Sequence, residues 1–326
     1  MKARQFRGHI TVRLLQMLPV LLVIVSLNFF LIRAAPGDPT LYLIGDAPVS
    51  DQYVAELRQR LGLDRGLGEQ LVIYLSNVAH GDLGYSYISK ESVTTLILSR
   101  LPATLLLMGT QYVLAILVGI MLGVISASRQ SGAADTAVTL LSVVGYAMPV
   151  FWLGQILVLV FALKLGWFPS QGMQSLSFDQ TPWEEAVDIL RHLVLPATTL
   201  ALANVALITR LTRANMLQVL RQEYIIFARS KGLSEFRVLF GYALKNAILP
   251  VVTIIGLNVR TLIAGAVLTE TVFSWPGLGR MTYDAIYARD YPVLLGMFML
   301  IGIIVVLSNL ITDLVYTRLD PRIRLS

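Results

Sequence analysis

Apolar residues in this chain gather into long runs separated by polar segments, and those runs set the reading. A helix rises 1.5 Å per residue, so about 20 mostly apolar residues cross the roughly 30 Å of bilayer hydrocarbon. Six stretches meet that length: 14–32, 103–127, 137–163, 193–212, 249–270 and 294–314. The first follows Lys2, Arg4, Arg7 and Arg13, as a signal peptide core would. Its run is longer than such a core, and Arg33 stands where small cleavage-site residues are needed. It is read as an uncleaved anchor.

Between the first two runs the pattern turns amphipathic. Ser50 is placed to cap a helix through Val54, Leu57, Arg58 and Leu61, which Gly62 ends. A second helix is predicted from Gly68 to Ala79, with Leu71, Tyr74, Leu75 and Val78 on one stripe. Gly81-Asp82-Leu83-Gly84 reads as a turn. Met148-Pro149 and Pro196 are expected to kink their spans, because proline removes a helical donor. Trp152, Trp167 and Trp275 read as packing or interfacial residues, with Trp167 and Trp275 assigned to the outer interface.

Composition agrees with the runs. Of 326 residues 56% are hydrophobic and 14% charged, where a soluble domain carries about 25% charge. So little charge cannot cover a soluble protein of this size, which makes the chain an integral membrane protein. The net charge is +6, from 26 Lys+Arg against 20 Asp+Glu, and its distribution says more than its sum. With the N-terminus inside, segments 1–13, 128–136, 210–248 and 313–326 hold 15 basic and 5 acidic residues. The outer segments 33–102, 164–192 and 270–293 hold 10 basic and 15 acidic residues. That bias places both termini in the cytoplasm.

Missing chemistry narrows the function. Cysteine is absent, which excludes disulfides, thiolate metal sites and cysteine nucleophiles. His9, His80 and His192 lie far apart, so neither a metal cluster nor a histidine-based catalytic site has support. No Gly-Lys dipeptide occurs, and a Walker A phosphate loop needs one. We therefore expect no catalytic residue, no cofactor and no metal site. No carboxylate lies within the interior of a span, which counts against a carrier driven by protons or sodium. Arg260 is the exception among charges, midway between Pro250 and Glu270. An arginine at that depth costs about 2.5–3.5 kcal/mol, so it faces protein or water. It either pairs with a polar group such as Asn258 or a partner subunit, or lines a pathway and meets an anionic group.

The inner loop from Met216 to Leu249 is the most informative segment. Leu217, Leu220, Tyr224, Phe227 and Ala228 recur at helical spacing and extend the fourth span into the cytoplasm. Gly232 can end that helix in a left-handed cap and Ser234 can start another. The second helix would set Phe236, Leu239, Phe240 and Ala243 on one face, with Arg229, Lys231 and Arg237 around the bend. Patterning alone leaves two readings open: a surface hairpin held by anionic lipid, or a short helix that docks into a cytoplasmic partner.

These residues resemble the dipeptide, oligopeptide and nickel permease subunits of ABC importers. Ala228-Arg229-Ser230-Lys231-Gly232-Leu233-Ser234 is similar to that family's cytoplasmic loop, and Lys245-Asn246-Ala247-Ile248-Leu249-Pro250 follows at the family's spacing. The general importer loop begins Glu-Ala-Ala, where Ile226-Phe227-Ala228 stand here. The likeness runs along the chain, through Ala35-Pro36-Gly37-Asp38-Pro39, Gly81-Asp82-Leu83-Gly84-Tyr85-Ser86 and Arg100-Leu101-Pro102-Ala103-Thr104. Its most specific string is Glu270-Thr271-Val272-Phe273-Ser274-Trp275-Pro276-Gly277-Leu278-Gly279-Arg280, and Asp320-Pro321-Arg322 closes it.

The resemblance implies an all-α polytopic membrane protein with six transmembrane helices in the type I ABC importer permease fold. Its divisions would be an anchor helix and extracytoplasmic loop over 1–99, the permease domain over 100–313 and a cytoplasmic tail over 314–326. It implies a coupling loop of Tyr224, Ala228, Arg229, Ser230, Lys231, Gly232, Leu233, Ser234 and Glu235 that fits a separate ATPase. Implied partners are a second homologous permease, two ABC ATPase subunits or domains, a solute-binding protein and the lipid bilayer of a bacterial or archaeal cell (inner) membrane. Nucleic acid is not among them. Asn258 and Arg260 are the candidate pathway residues, and the family carries a small or apolar residue at the position of Arg260. Peptides lead as substrate; the family also moves nickel chelates, glutathione, opines and oligosaccharides. A self-contained carrier or channel is the competing class, and a membrane enzyme stands further off.

Overall fold

The computed structural model describes residues 19–31, 34, 40, 44, 49–60, 62–175, 179, 181–258 and 267–319. Side chains at 57, 60, 255–258 and 308–319 are outside the description, as is Arg260. Helices α1 (Pro19–Leu31), α2 (Asp51–Arg60), α3 (Leu67–Ala79) and α4 (Val93–Ser128) come first. Then follow α5 (Ala133–Ala147), α6 (Val150–Leu157), α7 (Pro182–Leu220), α8 (Glu223–Ser230), α9 (Leu244–Asn258), α10 (Val267–Val272), α11 (Leu278–Tyr287) and α12 (Tyr291–Leu319). Two π-helical segments, Val158–Lys164 and Arg237–Ala243, prolong α6 and precede α9. No named strand occurs among the described residues.

Among the described residues three helices are long and apolar enough to cross a membrane: Val93–Ser128, Pro182–Leu220 and Arg237–Ile254, which joins the second π-helical segment to α9. The pair Ala133–Ala147 and Val150–Lys164 makes a fourth if it is one span, bent by 107°. The bend falls at Met148-Pro149, as expected, because proline disfavours helical geometry in the residue before it. Pro196, by contrast, lies inside a helix that continues without a break. The apolar stretches Pro19–Leu31 and Tyr291–Leu307 are shorter.

The chain divides into two compact units, residues 1–102 with 281–326, and residues 103–280. In the first, the Ser50 hydroxyl accepts from the Tyr53 N–H at 3.3 Å and starts α2. Gly62 ends that helix at φ +63°, with the Leu63 N–H on the Arg58 carbonyl. Phe29 of α1 meets Tyr74 of α3 at 5.6 Å between ring centroids. The buried carboxylate of Asp290 accepts from the Ser86 hydroxyl and the Tyr87 N–H, tying residues 84–92 to the start of α12.

The second unit is built on α4 and α7. A capping box starts α7: Thr181 accepts from the Glu184 N–H, and the Glu184 carboxylate accepts from the Thr181 N–H at 2.8 Å. The helix then runs 39 residues, well past the apolar stretch 193–212 at both ends. Gly119 and Gly123 sit one turn apart on α4, where an added Cβ would lie 2.8 Å from the Ile208 side chain and 2.5 Å from Thr212 Cβ. Without side chains at those two positions the backbones close up, which is how apolar helices associate where no water drives them together. Gln111 accepts from Asn204 in the same seam at 3.2 Å.

At the far end of the unit, two of the sequence strings prove to be halves of one cluster. Thr104 Oγ1 donates to Glu270 Oε1 at 3.0 Å and accepts from the Leu278 N–H at 2.8 Å. The Arg280 N–H reaches Glu270 Oε2 at 3.0 Å, and Trp275 Nε1 donates to the Ala103 carbonyl at 2.8 Å. Glu270 and Trp275 have no exposed surface. Trp275 is therefore a packing residue and not the interfacial anchor its position suggested; its indole proton is satisfied by protein, so burial costs it no unmade bond. Trp167, 61% exposed, is free to serve as one.

Candidate functional site

At Arg221-Gln222 the backbone leaves the helix, and Gln222 takes an extended conformation that starts α8. The break rotates the helical register. Ile225 and Ala228 become the buried residues of α8, while Tyr224 and Phe227 turn outward. The continuous stripe expected from Leu217 to Ala228 is thus two stripes with different faces. Ile225 and Ala228 pack with Val124 and Ala127 of α4, Met216 of α7, and Val238, Leu239, Ala243 and Ala247. One core therefore holds the loop to two long helices.

The end of α8 is closed by backbone geometry. Gly232 sits at φ +76°, a conformation that costs side-chain-bearing residues about 1–2 kcal/mol. It lets the Leu233 N–H return to the Ala228 carbonyl at 3.4 Å and its own N–H to the Arg229 carbonyl at 2.9 Å. That is a Schellman closure, with Leu233 packed against the core containing Ala228. Ser234 follows as the expected start, its carbonyl accepting from the Val238 N–H at 3.0 Å. The segment Arg237–Ala243 is then π-helical, which the 3.6-residue period did not anticipate. As a result Leu239 and Ala243 point inward, whereas Phe236 (72% exposed) and Phe240 face out, their centroids 4.8 Å apart.

Charges around the bend find partners within it. Arg229 Nη2 lies 2.6 Å from Glu235 Oε1 and its Nε 3.3 Å from Oε2. Lys231 Nζ stands 4.5 Å above the Phe227 ring. Both members of the ion pair are about half exposed, so the pair orders the bend more than it stabilises the fold. The Asn246 side chain donates to the Tyr224 hydroxyl at 2.8 Å, and the Ser230 hydroxyl to the Phe227 carbonyl at 2.9 Å. Of the sequence-selected residues, Tyr224, Arg229, Ser230, Lys231, Gly232, Ser234 and Glu235 reach the surface, Leu233 is half-buried and Ala228 is core. Ile226 and Phe236, which were not among the selected loop residues, are exposed as well, as are Phe227 and Tyr224. Asn258 lies in α9 with its side chain outside the described residues, and Arg260 is outside them altogether.

Residues 119–325 match the family described as binding-protein-dependent transport system inner membrane component, and residues 8–108 match its N-terminal companion. The chain belongs to this family. The permease is 42% identical to the di/tripeptide transport system permease protein DppB of Pseudomonas aeruginosa, over 96% of this chain and 97% of that one. It is 43% identical to the oligopeptide transport system permease protein AppB of Bacillus subtilis, over 97% and 99%. Among solved structures, the MetNI methionine ABC transporter in inward-facing conformations matches at a TM-score of 0.50 and 17% identity, over 68% of this permease and 96% of that chain. An amino acid ABC transporter matches equally, at 0.50 and 15% identity, over 69% and 94%. At that identity the likeness is one of fold: the permease has the helical architecture of ABC importer membrane subunits. As a membrane component of such a system it works with an ATPase and a binding protein.

Proposed function

We infer that the permease forms half of the membrane pathway of an ATP-driven importer of peptides. The observation that carries this is the Schellman-closed loop, packed in one core with the ends of α4 and α7. Such a loop transmits force, because its position relative to two long helices is fixed by packing and not by a flexible tether. The peptide substrate is supported by the curated relatives, both peptide permeases by name. In this reading a second homologous permease completes the pathway and two ATPase subunits or domains grip the two loops. A solute-binding protein delivers cargo on the other side of the membrane.

Six spans with both termini in the cytoplasm follow from the apolar runs and the charge bias. Residues 100–313 make the permease domain, between the anchor with its outer loop (1–99) and the tail (314–326). ATP binding closes the ATPase pair and carries Tyr224, Phe227 and the Arg229–Glu235 bend with it. The spans then tilt outward to accept cargo, and hydrolysis returns them. Each state is favoured by the contacts it alone makes.

Gly232→Val tests the loop. An added Cβ meets nothing within 4 Å and the position is exposed, so the substitution acts first through φ. Labelled trialanine uptake by the complex in proteoliposomes is expected to fall at least about tenfold, the scale of a typical coupling free energy. Complex yield should stay unchanged, and Gly232→Asn should retain uptake because asparagine tolerates positive φ. Wild-type uptake by Gly232→Val would refute the coupling role, and uptake by this chain alone would make it a self-contained carrier. For the pathway, Asn258 and Arg260 are proposed to line it from mid-span. Arg260→Leu should change the KM or maximal rate of uptake at unchanged complex yield; identical kinetics would remove Arg260 from the path.

A further inference from the structure

The turn between α4 and α5 holds a partly buried ion pair that reaches into the helix leading to the loop. Asp135, 5% exposed, sits in the first turn of α5. Its carboxylate takes Arg213 of α7 in a two-pronged contact, Nε to Oδ1 at 2.7 Å and Nη2 to Oδ2 at 2.8 Å. The Ser126 hydroxyl on α4 donates to Oδ1 at 2.5 Å, and the Ser131 N–H to Oδ2 at 3.0 Å. Ser131 itself is held at φ +62°, a strained value for a residue with a side chain. Four donors from three places thus converge on one carboxylate. So many donors exceed what is needed to finish a helix, where one capping contact suffices.

Position gives the pair its meaning. Arg213 lies one turn before Met216, which is fully buried in the core that seats the loop. α5 contributes no residue to that core. It leads instead into the 107° bend and α6, where Gly154 lies beneath Phe273 and Thr199. α5 and α6 already pack along α7, and Asp135 adds a polar tie between α5 and α7 at the end nearest the loop. Resting on the importer reading above, we propose that Asp135 and Arg213 are positioning residues for transport: their bond makes α5 follow the loop when the ATPase moves it. Without the bond the loop still docks and ATP is still split, but α5 lags and the pathway does not open in step.

The fork geometry separates a positioning role from simple charge balance, since lysine can hold one oxygen but not both. The variants are Asp135→Asn, Arg213→Gln and Arg213→Lys in the full complex with its ATPase and binding protein. Uptake of labelled trialanine and ATP hydrolysis are measured per assembled complex. A second readout needs no transport. The chain has no cysteine, so spin labels on cysteines placed at the exposed positions Ala137 and Arg221 report the distance from α5 to the residue that caps α7 in this subunit. The expected result is one narrow distance in the unsubstituted chain, and a broadened one in Asp135→Asn and Arg213→Gln. Trialanine moved per ATP should fall at least about tenfold in both, the range of coupling free energies, with Arg213→Lys in between. A narrow distance in the variants overturns the fastening. A broadened distance with wild-type uptake per ATP overturns its part in transport, as does a loss of uptake matched by loss of assembled complex. If the unsubstituted complex shows no ATP-driven uptake, the importer reading fails while the distances still judge the clamp. Should Asp135→Asn not assemble, Arg213→Lys carries the same comparison.

Discussion

Gly123→Leu is expected to leave almost no folded permease in the membrane, while Gly109→Ala on the same helix accumulates normally. The two glycines differ only in what a side chain would meet. At Gly109 an added Cβ has nothing within 4 Å. At Gly123 it would stand 2.5 Å from Thr212 Cβ and 2.9 Å from the Thr209 carbonyl oxygen. The carbonyl belongs to the backbone of α7 and cannot swing aside, so the helices must part. Overpacking a formed core costs about 1–3 kcal/mol per insertion and sometimes more. In a bilayer no hydrophobic force restores the seam, because lipid is as apolar as leucine. Opening it also strands Gln111 and Asn204, which pair across it. Gly123→Ala should lie between, with a lowered midpoint of thermal unfolding in detergent. Size-exclusion of fluorescently tagged variants reads all three, and a monodisperse peak of normal height for Gly123→Leu would refute the close-contact account.

Glu270→Ala is the second large effect. The carboxylate is fully buried and accepts from the Thr104 hydroxyl and the Arg280 N–H. Removing it leaves the buried Thr104 hydroxyl without this acceptor, at about 1–3 kcal/mol, and takes the same acceptor from the partly buried Arg280 N–H. It also removes the atoms around which residues 273–280 are folded. Gly277 presses so close that an added Cβ would lie 2.5 Å from both Glu270 Cδ and Thr104 Oγ1. Glu270→Gln keeps one acceptor oxygen and nearly the same volume, so it should lose far less. The check is limited proteolysis of detergent-solubilised protein with thermal midpoints. Glu270→Ala should be cut rapidly near Trp275, and equal stability of the Ala and Gln variants would show that the hydrogen bonds carry no weight.

Local signals carried over from sequence to structure where a single residue decides a single bend. Ser50 caps α2, Gly62 and Gly232 end their helices with positive φ, and Met148-Pro149 sets the 107° bend between α5 and α6. Periodicity carried less well. It assumes 3.6 residues per turn, so the π-helical Arg237–Ala243 sent Phe236 and Phe240 to the surface, and the break at Gln222 did the same for Tyr224 and Phe227. Hydropathy understated lengths, because the polar ends of α4 and α7 stay helical beyond the apolar run. What no local pattern could supply was pairing over distance. Asp135 and Arg213 are 78 residues apart, and Thr104 and Glu270 are 166 apart. One signal was available and unused: Gly119 and Gly123 form a Gly-x-x-x-Gly spacing inside an apolar run, which marks a helix seam.

The length of α7 bears on how much motion the permease needs. Its 39 residues make a rod of about 58 Å, roughly twice the thickness of the hydrocarbon it crosses. Pro196 lies inside it without ending it, the capping box starts it at Thr181, and the shared core holds the opposite end. A rod of about 58 Å turned by about ten degrees sweeps its free end through roughly 10 Å. A lever of that length multiplies a small displacement at Leu220 into a large one near Thr181.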